Sequence, residues 1–194
     1  MICIACGYSK LQKFLFINNA PTQVEVIRSE RLADDKKMSI TLLRCERCTL
    51  VQLSKENTVT FVSRHYYDDY LMSRSYSSFA RSYLSGLAKD FVKTFGLQKK
   101  RIVDVGCGDG FFVSRLQHYG ATAIGIDPSE SACSLARKRG VTVLHDYVDD
   151  AFVFPKGKMD AFVSCQVFEH VSEPGKLLTN IKKFLKPTSY GLIE

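Results

Sequence analysis

The rhythm of apolar and polar positions changes partway along the 194-residue chain. Up to about residue 60, apolar residues come in short runs: Phe14 to Ile17, Val24 to Ile27 and Ile40 to Leu43. Polar turns at Asn18–Pro21 and Ala33–Lys37 separate them. Such runs between turn formers predict short strands. Residues 77–95 instead place Phe79, Tyr83, Leu87, Phe91 and Phe95 four apart, which predicts an amphipathic helix whose stripe packs on a core. After Lys99 strands and helices alternate. Strands are predicted at Arg101–Val105, Ala121–Ile126, Val141–Leu144, Met159–Cys165 and Tyr190–Ile193. Helices are predicted at Phe111–Tyr119, at Ser129–Arg139 with Ser129 or Ser131 as cap, and at Pro174–Leu185, stopped by Pro187. Strands joined by single helices make βαβ units and a mostly parallel sheet, so the fold class is α/β.

The chain divides accordingly into a small module (1–60), a connector with its amphipathic helix (61–100) and a Rossmann-like core (101–194). The module has too few apolar positions to build a core unaided, a deficit that a bound metal repairs. The core ends on its fifth strand, where further strands would ordinarily finish the sheet. The expectation is therefore a piece of a longer protein with an incomplete core.

Composition narrows this only a little. Hydrophobic residues make up 45% and charged ones 24%, as in ordinary globular chains. No run reaches the roughly 20 apolar residues that span a bilayer. The opening residues lack the basic and apolar regions of a secretory signal, so no membrane partner and a cytoplasmic location are expected. The net charge of +7 is spread over Lys36–Lys37, Lys99–Arg101, Arg137–Arg139 and Lys182–Lys183. That spread reads as solvated edges of helices and loops, and a dedicated nucleic-acid site is not expected. Oligomeric state is not legible.

The seven cysteines carry more information. Cys107, Cys133 and Cys165 stand alone, whereas Cys3–Cys6 and Cys45–Cys48 form two Cys-x2-Cys pairs. An odd total without a signal argues against a disulfide framework. Two such pairs supply the four soft ligands of a tetrahedral structural Zn2+, and Gly7 suits the first turn. With all four positions filled by protein, that ion has no open site for catalysis. The 38 residues between the pairs must be bridged by the fold.

The core's chemistry gathers after its first strand, in Val103-Asp104-Val105-Gly106-Cys107-Gly108-Asp109-Gly110-Phe111. Glycines let backbone approach a ligand, and the helix that follows presents free N–H groups. The spacing is G-x-G-x-G rather than the dinucleotide G-x-G-x-x-G, and Asp109 would repel a pyrophosphate. Asp104 is suited to accept loop N–H groups or pair with an ammonium. Asp127, ending the second strand, is placed to receive the ribose hydroxyls of an adenosine. Cys107 reads as loop packing. Glu169 and His170 follow the fourth strand, at the edge where such sheets bind ligands. Pocket lining and acid–base chemistry both stay open for them.

Residues 101–194 resemble the first part of a class I S-adenosylmethionine-dependent methyltransferase, whose signature is an acid followed by G-x-G-x-G. The resemblance implies that Asp104, Gly106, Gly108 and Gly110 surround the methionine part of S-adenosylmethionine. It places Asp127 on the ribose, Pro128 at the adenine edge, Asp146 on the adenine amine and Tyr147 against the ring. The order of parts, with the four-cysteine module, Arg44 to Leu53, a tyrosine-rich connector and the core, is similar to the sugar C-methyltransferases with an N-terminal zinc domain. That likeness implies a nucleotide-linked deoxyketosugar as acceptor, Glu169 and His170 as the place of the catalytic base, and Tyr67, Tyr70 and Tyr76 as pocket residues. An O- or N-methyltransferase for another metabolite or RNA, and an inactive zinc-knuckle assembly protein, are the competing readings.

Overall fold

A computed structural model describes residues 1–21, 37–57, 75–155 and 157–194. The expected strand at Val24–Ile27, Tyr67 and Tyr70 lie outside them. The chain folds as two compact units, Met1–Phe61 and Val62–Glu194.

In the first unit, β1 (Leu11–Pro21), β2 (Lys37–Cys45) and β3 (Val51–Leu53) form an antiparallel sheet in that order. The strands run past the apolar runs that announced them, because the cysteine turns and strand pairing extend them. β3 has no signature in the sequence. Phe14, Leu15, Phe16, Ile17, Val51 and Leu53 are all substantially exposed. Among the unit's described residues the buried side chains are Cys3, Ala20, Cys45, Gln52 and Ser54, so sulfur and hydrogen-bonding groups make up most of what these residues bury.

The second unit runs α1 (Ser78–Thr94), β4 (Arg101–Val105), α2 (Phe111–His118), β5 (Thr122–Asp127), α3 (Glu130–Lys138), β6 (Val143–His145), β7 (Met159–Ser164), α4 (Pro174–Lys182) and β8 (Leu185–Ile193). Ser77 caps α1 and Ser129 caps α3 through side-chain oxygens that accept N–H groups. The five strands are parallel in the order β6-β5-β4-β7-β8. Alternation along β4 sends Ile102 into a core with α1 and α2, and Val103 and Val105 into a second core with Ile181 of α4. Ile102, Leu116, Ile126, Met159 and Ile181 are almost fully buried, each contributing roughly 1.5–3 kcal/mol.

Four expectations need correction. The aromatic stripe of α1 is not the packed face: Leu84, Ala88, Phe91 and Val92 are buried, while Phe79 is 80% exposed and Tyr83 46%. Steps of four overshoot each full turn by about 40°, so a strict four-residue stripe winds off the buried face within a few steps. The last helix ends at Lys182, before Leu185, because Phe184 is buried and Leu185 already pairs with Met159. Pro187 is therefore not a helix stop. It lies where the β7–β8 register jumps from Leu185 to Tyr190, a bulge that tolerates a missing N–H. The third predicted strand is shorter and later, at Val143–His145. Finally, several basic residues do gather. Lys99–Arg101 lead into β4, Lys158 precedes β7, and Lys182, Lys183 and Lys186 flank the start of β8. Parallel neighbours all start on one edge of the sheet, which brings these residues together opposite the glycine loop.

Candidate functional site

The order of strands fixes where a ligand can sit. From β4 the chain moves outward through β5 to β6, then returns to place β7 on the other side of β4. The carboxyl ends of β4 and β7 thus flank a switch in winding direction, the place where such sheets open a crevice. The glycine loop leaves β4 there, and Cys165 to His170 leave β7. The two segments touch: a Cβ on Gly106 would stand 2.2 Å from Cγ2 of Val167.

The three glycines, alike in sequence, have different tasks. All are left-handed, at φ 78°, 54° and 72° for Gly106, Gly108 and Gly110. Gly106 makes room for Val167, and Gly110 lets α2 start close to α3, since a Cβ there would meet Ala136 Cβ at 2.9 Å. Only Gly108 faces open space, with nothing within 4 Å of its missing Cβ. It is the point where backbone can lie against a ligand.

Asp127 holds that loop. Its Oδ2 accepts Gly108 N–H at 2.8 Å and its Oδ1 accepts Ser129 N–H at 2.9 Å. The side chain is buried, and burial pushes its carboxyl above the ordinary range despite those two donors. Asp104 is 2% exposed on β4, directly before the loop. Burial, with Asp104 and Asp127 close by, raises the Cys107 thiol well above its usual value, which fits a packing role. Pro128 is half-buried, and its carbonyl accepts a hydrogen bond from His145 Nε2 at 2.9 Å. Asp146 N–H reaches the Asp127 carbonyl at 3.2 Å, and Asp146 Oδ1 accepts Tyr147 N–H at 2.8 Å. Asp127, Pro128, Asp146 and Tyr147 therefore share the carboxyl ends of β5 and β6.

Across the crevice, Glu169 and His170 occupy a short turn at Phe168–His170. Their side chains are 50% and 57% exposed, with Glu169 Oε1 4.0 Å from His170 Nε2. They are open to an incoming molecule rather than sealed in the core. Tyr76 is 71% exposed just ahead of α1. Gln166 was not foreseen: it takes a left-handed φ of 54° between Cys165 and Val167 and donates its N–H to the Glu194 carbonyl at 2.6 Å. Nor did the sequence show that Asp109 is ion-paired, at 2.7 Å, to Arg139. Its charge is compensated, so repulsion by Asp109 no longer argues against a pyrophosphate; the G-x-G-x-G spacing still does.

In the first unit the two cysteine turns repeat each other. Gly7 N–H donates to the Cys3 carbonyl at 2.9 Å and Thr49 N–H to the Cys45 carbonyl at 3.0 Å, with Gly7 and Thr49 left-handed at φ 71° and 64°. Pairing of Leu11 with Cys45 brings the turns together. Gln52 locks them by accepting Ile4 N–H at 3.0 Å and donating to the Ile2 carbonyl at 3.2 Å. All four sulfurs lie within 4.8 Å of one another, with Cys3–Cys48 at 3.5 Å and Cys6–Cys45 at 3.7 Å. Tetrahedral zinc with bonds of about 2.3 Å needs sulfurs about 3.8 Å apart. Burial pushes the Cys3 thiol up, but N–H groups of Cys6 and Ala5 and the neighbouring thiols bring it down to about 7. Cys48 rises to about 12: the Leu50 N–H favours its thiolate, but hydrogen bonding with the neighbouring Cys3 and Cys6 side chains and burial outweigh it. The Cys3 thiolate forms readily and that of Cys48 resists, a conflict that a divalent cation removes. This is a four-cysteine structural site whose residues fit Zn2+.

Residues 103–193 match the family model described as a methyltransferase domain. The second unit has the Rossmann-like fold of a class I methyltransferase core. Magnesium protoporphyrin IX methyltransferase of Synechocystis PCC 6803, solved with bound SAM, shares this core's fold with a TM-score of 0.52 at 17% identity, over 63% of this chain and 70% of that one. DesVI of Streptomyces venezuelae gives 0.50 at 21% identity, over 59% and 50%. In sequence, the ubiquinone biosynthesis O-methyltransferase of Actinobacillus pleuropneumoniae serotype 5b (strain L20) is 30% identical over 116 residues, 54% of this chain and 50% of that protein. The protein of the same name from Dinoroseobacter shibae is 34% identical over 92 residues, 45% and 37%. The chain spans about half the length, or less, of these curated relatives. Among the described residues, no helix is long and apolar enough to cross a membrane.

Proposed function

We propose that the methyltransferase core binds S-adenosylmethionine in the β4–β7 crevice and transfers its methyl group to a small molecule, a carbon of a nucleotide-linked deoxyketosugar. The observation that carries the cofactor assignment is the pairing of Gly108, open toward solvent, with Asp127, which fixes Gly108 through its N–H. That pair leaves backbone and a carboxylate facing one space at the end of β4 and β5. Gly106 and Gly110 hold the loop's shape, and Asp104 lies beneath it. Asp127 keeps lone pairs for ribose hydroxyls beyond the two N–H groups it accepts. Pro128, Asp146 and Tyr147 are grouped at the neighbouring strand ends to border the adenine. When bound, the cofactor supplies a methyl on a sulfonium, an electrophile that needs no activation by the protein.

The protein's own work is on the acceptor. His170 takes the proton alpha to the sugar ketone, leaving an enolate carbon as nucleophile. Glu169, 4.0 Å away, steadies the imidazolium that results. Holding that carbon in line with the methyl is worth as much as the proton transfer, because orientation lowers the barrier of a two-partner reaction. Support for a sugar acceptor comes from the order of a four-cysteine module, a tyrosine-bearing connector and this core, with Tyr76 ahead of α1. Tyr67 and Tyr70, outside the described residues, are assigned to the acceptor on the sequence resemblance alone. The structural zinc takes no part in the chemistry.

A second reading, methylation of a hydroxyl, is favoured by the names of the curated relatives, which are O-methyltransferases. Calorimetric titration with S-adenosylmethionine tests the shared part: Asp127→Ala weakens binding at least about tenfold, whereas a zinc-loaded parent that shows no heat of binding sinks the assignment. Incubation with a nucleotide-linked ketosugar then separates the acceptors. A new carbon–methyl bond, formed roughly 10²–10⁴ times more slowly by His170→Ala with cofactor affinity unchanged, is the expected result; an O-methyl product decides for the second reading.

A further inference from the structure

Asp109 lies between Gly108 and Gly110 at the tip of the glycine loop, and its side chain is only 12% exposed. Three separate elements meet on its carboxylate. Oδ1 accepts the N–H of Phe111 at 3.1 Å, at the first turn of α2. Oδ2 accepts Arg139 Nη2 at 2.7 Å, from the end of α3, and Ser75 Oγ at 2.5 Å, from the chain entering α1. Arg139 also donates Nε to the Asp109 carbonyl at 3.0 Å, so its guanidinium grips both ends of one residue. Arg81 of α1 turns back to donate Nη1 to the carbonyls of Ser75 at 2.7 Å and Tyr76 at 2.9 Å. Residues 75–76 are thus held from two sides, by hydroxyl to the loop and by carbonyls to α1.

A tight turn needs none of this, since three left-handed glycines already supply it. The Phe111 contact alone would be an ordinary helix-start hydrogen bond. The Ser75 and Arg139 contacts join residues 34 and 30 positions away in sequence, and neither pair serves the apolar core. They tie the loop's shape to the entry of α1, which carries Tyr76. Arg139 at the same time cancels the charge that Asp109 would otherwise set beside an anionic ligand.

We propose that Asp109 is a positioning residue: through Ser75 and Arg139 it locks the turn that presents Gly108 to the cofactor and docks residues 75–76 beside it, so that the cofactor loop and the acceptor-side tyrosine move as one piece. This rests on the reading of the loop as the seat of S-adenosylmethionine. Two sites joined in this way influence each other reciprocally in binding.

Amide hydrogen exchange on the full chain without cofactor, together with cofactor titration, tests it. Ser75→Ala speeds exchange of the Gly108–Phe111 amides about tenfold, as expected for loss of one charge-assisted hydrogen bond. The β5 amides at Ile124–Ile126 stay at the parent rate. Cofactor affinity falls several-fold, and Ser75→Thr, which keeps the hydroxyl, restores both. Asp109→Asn has the larger effect because Arg139 then loses its anionic partner. Loop amides that exchange at the parent rate in both variants overturn the proposal. So does acceleration spread equally over β4 and β5, which would mark a merely structural contact. A parent that binds no S-adenosylmethionine overturns the cofactor reading instead, while the exchange rates still decide the role of Asp109.

Discussion

The two units of this chain are stabilised by opposite means. Val62–Glu194 buries Ile102, Leu116, Ile126, Met159 and Ile181 on two faces of a parallel sheet, with the buried polar residues Asp127 and Ser164 at strand ends. Met1–Phe61 leaves Phe14 to Ile17 exposed and buries thiols and a glutamine. One unit derives its fold from apolar area and can spend its loops on a ligand. The other uses its sequence-distant cysteines to hold its three described strands, whose described side chains bury little apolar area. A small domain short of apolar residues needs such a crosslink, and a site completed by four protein ligands has nothing to offer a substrate.

Removing the metal breaks the contrast most visibly. Structural zinc is worth on the order of 10–16 kcal/mol, as much as a whole domain's stability. Chelation therefore unfolds Met1–Phe61 and leaves the core intact. The expected outcome is loss of amide chemical-shift dispersion for the first unit only, with S-adenosylmethionine titration unchanged. Loss of cofactor binding on chelation would show that the units depend on each other. A second test lies within the core and should be smaller. Gly106→Ala drives a Cβ into Val167 at a positive φ, costing about 2–4 kcal/mol in urea unfolding. Gly108→Ala meets no atom and costs about 1 kcal/mol, from its left-handed backbone alone, yet weakens cofactor binding about tenfold or more. Equal stability losses would erase the division of labour among the glycines.

The smallest effect is a pH dependence confined to the core. Asp160 is partly buried, which raises its carboxyl, but Lys186 at 2.6 Å and the Arg101 N–H at 2.8 Å outweigh this and lower it below the usual 3.8. Its folded value is depressed, so its stabilising contribution is complete above the unfolded value and lost as pH falls through the folded one. Asp160→Asn flattens the acid limb of thermal stability below about pH 4 and lowers the melting temperature at pH 7 by about 2–4 °C. An unchanged acid limb would remove Asp160 from the account.

Much of this arrangement was legible before the fold was known, and the reason is local chemistry. Val103 to Phe111 announces strand, turn and helix in nine letters, and Cys-x2-Cys announces a turn that bites an ion. Periodicity failed where it needed a direction: Phe79 and Tyr83 shared a spacing with Phe91 but not its side of α1. Long-range partners were invisible altogether. Nothing in Asp109 points to Ser75 or Arg139, Gly106 does not declare Val167, and Gln166 carries no mark of a left-handed backbone. Those pairings arise when β7 crosses to the far side of β4. The basic edge has the same origin, because lysines dispersed in sequence converge only once parallel strands share a starting line.

Asp127 has a consequence for anyone who selects this protein for robustness. Burial raises its folded carboxyl, so its contribution to stability is greatest below the unfolded value and falls as pH rises through the folded one, and ionising it places a charge in a dry site. Heat-based screening would therefore favour uncharged replacements at 127, and each gain in hardiness there would erode the hold on Gly108 and the ribose. Directed evolution of such a core is best run with its ligand present, since only then does selection see what the awkward acid is for.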